Sequence, residues 1–97
     1  MGMSIQIRNE SRAMIRTWPE RISLPIASLD PERFPLTSGI NPYGDTVFNQ
    51  TQVERVSAEL VMWLVEERDE ATRSALETLI EACASVHRFQ YLWLVGE

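Results

Sequence analysis

Cys83 and His87 are the chain's single cysteine and single histidine, and they stand four residues apart. On a helix that spacing puts a thiol and an imidazole on one face, a pairing suited to nucleophilic catalysis. Cys83 also belongs to an apolar set with Leu76, Leu79, Ile80 and Val86. That set makes it a small core hydrophobe, and leaves His87 at a helix end where a cation suits the dipole. The second reading is preferred: no catalytic residue is assigned and the chain is read as non-enzymatic. One cysteine allows no disulfide within the chain, and one cysteine with one histidine is too few for a zinc site. A lone thiol fits a reducing cytoplasm.

Two polar groupings remain. Glu66, Glu67, Asp69 and Glu70 form an acidic surface suited to a basic partner, or else a solvated helix face. Their spacing matches no calcium loop, so no metal is expected. Tyr43, Asp45 and Thr46 flank a turn and offer a polar site for a small molecule. Arg55 with Glu59, and Arg73 with Glu77, read as helix-surface ion pairs. The chain has no glycine-rich phosphate loop, no nucleophile elbow and no basic-aromatic patch. Nine Lys+Arg against fourteen Asp+Glu give a net charge of -5, which argues against nucleic acid as a partner. No cofactor is expected.

The elements that hold these residues follow from the prolines. All five, Pro19, Pro25, Pro31, Pro35 and Pro42, precede residue 50, so the first half is strands and loops and the second half is free to be helical. Ile5 and Ile7 alternate with polar residues as in a strand, and Ala13–Trp18 forms a second. Ile22, Leu24 and Ile26 alternate too, but Pro25 demotes that run to an edge strand or extended segment. Asn41-Pro42-Tyr43-Gly44 matches a type I turn, and Leu36–Ile40 and Thr46–Phe48 on either side are expected to pair as a hairpin. Asn49 with Gln52 reads as a capping box, with Phe48 and Val53 as its hydrophobic staple. A helix then runs from about Gln50 to Arg68 on Val53, Val56, Leu60, Trp63 and Leu64. The second apolar set is rotated by roughly 145° from the first, so the polar stretch between them is a break, with Asp69 capping a second helix. Phe89–Val95 is a terminal strand.

Ninety-seven residues make one domain. The fold class is α+β: a mostly antiparallel sheet of four or five strands, with an αα-hairpin packed on one face. The terminal strand is expected in the sheet interior. There is no secretory leader pattern at residues 1–12, and no run of about eighteen apolar residues to span a membrane. Two apolar runs exceed what this architecture needs. Leu60, Val61, Met62, Trp63, Leu64 and Val65 cover the whole circumference of a helix, and Tyr91–Val95 points apolar side chains to both faces of a strand. Leu60, Val61, Met62, Trp63, Val65 and Trp93 are therefore the candidate interface, with a homodimer as the expected assembly. The chain reads as a self-associating protein-binding module, of inhibitor or immunity type if its acidic helical surface masks a basic partner; residues 51–97 carry the whole net charge of -5. The alternative is a small-molecule-binding domain with its pocket near the Tyr43–Asp45 turn.

The segment Asn41-Pro42-Tyr43-Gly44-Asp45-Thr46-Val47-Phe48-Asn49 resembles that of a group of small bacterial proteins of unknown function. They carry a similar Pro-Tyr-Gly-Asp-Thr-Val-Phe-Asn stretch, two helices and an aromatic-rich terminal strand. The resemblance covers roughly the last 60 residues. It implies that the turn and the helix after it form a fixed unit, and it implies no activity. The group usually carries Asp where this chain has Asn41.

Overall fold

The structure, a computed structural model, describes residues 2–96. Strand β1 (Ser4–Asn9) buries Ile5 and Ile7 and turns Gln6 and Arg8 the other way, as the pleat requires. A turn led by Asn9, whose Oδ1 accepts the N–H groups of Ser11 and Ala13, returns the chain as β2 (Met14–Thr17). Residues 18–44 then wander with no strand of their own. Ile22 makes one antiparallel bridge to Met3, and Leu24, Ile26, Phe34 and Ile40 are all buried. Strand β3 (Asp45–Asn49) leads directly into helix α1 (Gln50–Glu66). Helix α2 (Glu70–Ala84) follows, and β4 (Gln90–Val95) completes a four-stranded antiparallel sheet in the order β2-β1-β4-β3. β4 is interior, flanked by β1 and β3.

The helix starts are set by local chemistry. Asn49 Oδ1 accepts the Gln52 N–H at 2.8 Å, and Gln52 Oε1 accepts the Asn49 N–H at 3.0 Å, the reciprocal box that the sequence displays. Asp69 accepts from Thr72 N–H at 3.0 Å and opens α2. Between the helices no glycine ends α1. Instead, Arg73 from α2 donates to the carbonyls of Leu64 and Glu67, each at 2.8 Å. A cation on the last carbonyls satisfies both their acceptors and the helix dipole. The expected surface pair of Arg73 with Glu77 gives way to this.

Both helices pack on one face of the sheet. Val53, Val56, Leu60 and Trp63 from α1, and Ala75, Leu76, Leu79, Ala82 and Cys83 from α2, meet Ile5, Ile7, Phe48, Leu92 and Leu94 in one continuous core. The segment 18–44 closes this core at one end, where Phe34 lies against Trp63 with ring centroids 6.2 Å apart.

One strand pairing expected from the sequence is not formed. Leu36–Ile40 does not pair with Thr46–Phe48; it contains a 3-10 turn at Thr37–Gly39, and β3 pairs with β4 instead. The cause is Glu59. It lies on the buried side of α1, 9% exposed, and its carboxylate accepts the N–H groups of Leu36 and Thr37, the latter at 2.9 Å. The loop is thereby tied to the helix rather than to the sheet, and Glu59 is not the surface partner of Arg55. The Asn41–Gly44 turn forms as read, with Asn41 Oδ1 accepting the Tyr43 N–H at 3.0 Å. Gly96 closes against it: its N–H donates to Gly44 O at 2.8 Å, and a Cβ at that position would fall 2.3 Å from Pro42 O.

Candidate functional site

The helices cover one face of the sheet, and among the described residues no helix or strand covers the other. Alternation places Gln6 and Arg8 of β1, Val47 of β3, and Tyr91 and Trp93 of β4 on that outer face, opposite in sense to Ile5, Ile7, Phe48, Leu92 and Leu94. The registers line them up in rows across the strands. Thr17, Gln6, Trp93 and Val47 form one row, and Met14, Arg8, Tyr91 and Asn49 the next. Tyr91 and Trp93 remain partly accessible, Val47 is 40% exposed and Met14 is 49% exposed.

The centre of this face is a held guanidinium. Arg8 Cζ lies 4.3 Å from the centroid of the Trp93 ring. The same guanidinium donates to Gln6 Oε1 from Nε at 3.0 Å and from Nη2 at 2.6 Å. Arg8 is thus held over an indole by cation–π attraction and by a fork onto one amide. Beside it Asn9, Glu10, Arg12, Val47, Tyr91 and Trp93 line a shallow cleft of about 170 Å³. Arg12 stands at φ 65° in the β1–β2 turn, a left-handed conformation that costs a non-glycine residue of the order of 1 kcal/mol. Ring surface, a fixed arginine and an amide are groups that can be buried and stacked against; Trp, Tyr and Arg are the residue types that dominate protein–protein contacts in general.

Of the six expected interface residues, the structure removes two. Leu60 is fully buried and Trp63 is 7% exposed, because they form the core stripe of α1. Trp63 Nε1 moreover donates to Glu67 at 2.9 Å. Val61, Met62 and Val65 stay on the solvent side, with Val65 80% exposed. Trp93 lies on the outer sheet face, away from them.

The acidic group is engaged in local structure. Glu66 pairs with Arg33, which holds its carboxyl below the usual carboxylate range. Glu67 accepts from Trp63 and from the backbone N–H groups of Arg68 and Asp69, and these bonds lower its pKa, the Trp63 bond most. Asp69 is lowered by its capping bonds to Thr72. Glu70 is exposed in the first turn of α2.

Tyr43, Asp45 and Thr46 are not brought to one pocket. Tyr43, with Pro42, lines a cleft of about 310 Å³ against residues 23–27, which neither Asp45 nor Thr46 lines. Thr46 Oγ1 accepts the Asn41 N–H at 2.9 Å and so braces the turn. Cys83 and His87 do not share a helix face, because α2 ends at Ala84 and Ser85 caps it. Cys83 is buried, and burial pushes its thiol up to about 12, far from the thiolate that nucleophilic attack needs.

Arg8, Gln6, Val47, Tyr91 and Arg12 are the residues that sequence reasoning missed. Their signal was parity: once Ile5, Ile7, Leu92 and Leu94 are taken as inward, the residues between them share the opposite face. Among the described residues no three His, Cys, Asp or Glu side chains converge as a metal site, and no helix is long and apolar enough to cross a membrane. Comparison of the chain with protein-family models, with curated proteins and with solved structures returned no match.

Proposed function

We propose that this chain is a non-enzymatic protein-binding module whose binding surface is the outer face of its sheet. The observation that supports the reading is the uncovered Tyr91–Trp93 ridge with Arg8 fixed on it. Isolated exposed hydrophobes need no explanation, but a sheet face left without a second layer and centred on aromatic residues marks an interaction surface. Masking a basic partner with Glu66, Glu67 and Asp69 receives less support, because those carboxylates already accept internal hydrogen bonds. A small-molecule site at the Tyr43–Asp45 turn receives less still, since its residues do not converge.

Site-specific photocrosslinking tests the proposal. A photoreactive side chain at Val47 or Gln6 is expected to give covalent adducts to protein in living cells. The same group at Glu77, on the helical side, is expected to give none. Equal labelling from both sides, or no protein adduct from the sheet side, would overturn the reading.

A further inference from the structure

The register brings two connections together at one end of the sheet. Asn9 pairs with Gln90, so the β1–β2 turn adjoins the loop from α2 into β4. Arg12 is exposed in the first, Arg88 in the second, and Phe89 beside it is 59% exposed. Helix α1 begins at this end, because β3 runs into it at Asn49, opposite Tyr91. Helix α2 finishes here too, on its way to Gln90.

Charge is divided along this axis. The turn end holds Arg8, Arg12, Arg16, Arg55 and Arg88 against Glu10, Glu54 and Glu81. The rest of the sequence holds four arginines and eleven acids, with Glu66, Glu67, Asp69 and Glu70 at the far end, where α1 passes into α2. One end is thus net positive in a chain of net charge -5. Glu81 is taken by Arg16 at 3.1 Å, and Glu54 stands beside Arg55 in the helical layer. Glu10 alone of the three lines the cleft on the outer face, with Arg12 on the same rim. Among the described residues neither makes a side-chain hydrogen bond or ion pair, so they do not neutralise each other by contact. Arg8 and Arg88 rest on rings, 4.3 Å from the centroid of Trp93 and 4.7 Å from that of Phe89. A ring or an amide holds a guanidinium and leaves its charge uncompensated. The surroundings of the cleft are therefore positive, Glu10 included, and favour an anion carried on an apolar body.

The cleft reaches from Arg12 in the β1–β2 turn across β4 to Val47 on β3. Its volume, about 170 Å³, is below the roughly 300 Å³ at which small-molecule sites begin, so it suits one side chain of a larger partner. A polynucleotide fits less well, since its phosphates continue past the turn end and meet the acids of the remaining surface. A peptide with two or three carboxylates ends before them. From this division of charge we infer that the partner of the sheet face is an acidic peptide segment. One aromatic or large aliphatic side chain enters the cleft against Trp93 and Val47, and flanking carboxylates meet Arg12 and the neighbouring arginines. The inference rests on the reading of this face as a binding surface and adds the chemistry of what binds.

Selection from a phage-displayed library of random peptides about ten residues long, with the intact chain as bait, tests it. Enriched sequences are expected to carry a net charge of about -2 or beyond around one aromatic or large aliphatic residue. The best of them, dye-labelled and titrated by fluorescence anisotropy, is expected to bind at about 1–100 µM. Arg12→Asn removes the charge and tolerates the left-handed backbone; it is expected to weaken binding about fivefold or more. Glu10→Gln is expected to strengthen it about twofold, and Trp93→Ala to weaken it about tenfold. Glu77→Gln, on the helical side, is expected to change nothing. Enrichment of neutral or basic sequences, no enrichment at all, or an Arg12→Asn protein that binds as well as the original would overturn the inference. A uridine oligonucleotide that binds more tightly than the peptide would overturn it in favour of nucleic acid. A mass in light scattering that rises with concentration, and falls again when the peptide is added, would put another copy of the chain on the face instead. If any of these came with sheet-side photoadducts to another protein, the module reading would stand without the acidic segment; without such adducts both would fall.

Discussion

At the scale of single residues, the structure assigns its polar side chains mostly to holding the chain rather than to chemistry. Glu59 is the strongest case. Its carboxylate is buried and takes the N–H groups of Leu36 and Thr37. Glu59→Ala leaves the buried Thr37 N–H and the half-buried Leu36 N–H unmatched and is expected to cost about 2–4 kcal/mol in urea unfolding, while Glu59→Gln, which keeps one acceptor, costs less. This role was partly legible in the sequence: Glu59 falls three residues after Val56 and four before Trp63, on the core stripe, where an acid requires a partner. Its partners were not legible, because they are backbone groups of a distant loop. A pH prediction also belongs here. Glu66, Glu67 and Asp69 are all held below their ordinary values, so the native state favours their charged forms. Their stabilisation is present in full above the ordinary values, 4.5 for the glutamates and 3.8 for Asp69, and is lost as the pH falls through the lowered native values. The urea midpoint should therefore decline on acidification below those values, and Glu67→Gln should flatten part of the decline.

At the scale of elements, two junctions carry the architecture. Arg73 replaces the missing glycine cap between α1 and α2 by reaching the last carbonyls of α1. Arg73→Ala is expected to lower stability by about 1–2 kcal/mol, with the added hydrogen exchange confined to the last turn of α1. Gly96 closes the end of β4 against the Asn41–Gly44 turn with no room for a Cβ. Gly96→Ala must push the turn away and is expected to cost about 1–3 kcal/mol in thermal unfolding. The helices, their caps, the break at Asp69 and the interior position of β4 were all readable, since each follows from spacing or capping within a few residues. The Leu36–Ile40 strand was misread for a complementary reason. Its residues are compatible with extended structure, and the hydrogen bonds that decide otherwise come from Glu59, far along the chain. The candidate site was half legible: the surplus of apolar residues in β4 was visible, but the α1 run was not divided correctly between core and surface, and the seating of Arg8 on Trp93 depends on a pairing of distant strands.

At the scale of the whole molecule, a sheet with one covered face and one open face makes stability depend on what meets the open side. If an acidic segment covers it, folding is linked to binding, and the thermal midpoint should rise by several degrees with the selected peptide at about ten times its Kd, a dependence that Trp93→Glu should abolish. The strand order β2-β1-β4-β3 has a further consequence, for how the chain is made. β1 lies beside β4, Ser4 opposite Val95, so the central pairing of the sheet joins its first strand to its last. During synthesis the β1–β2 hairpin emerges early, and its buried-side residues Ile5 and Ile7 wait for β4 while both helices are being translated. The ribosome must therefore release nearly the whole domain before the core can close, and until then the nascent hairpin offers an open apolar edge that a chaperone would recognise.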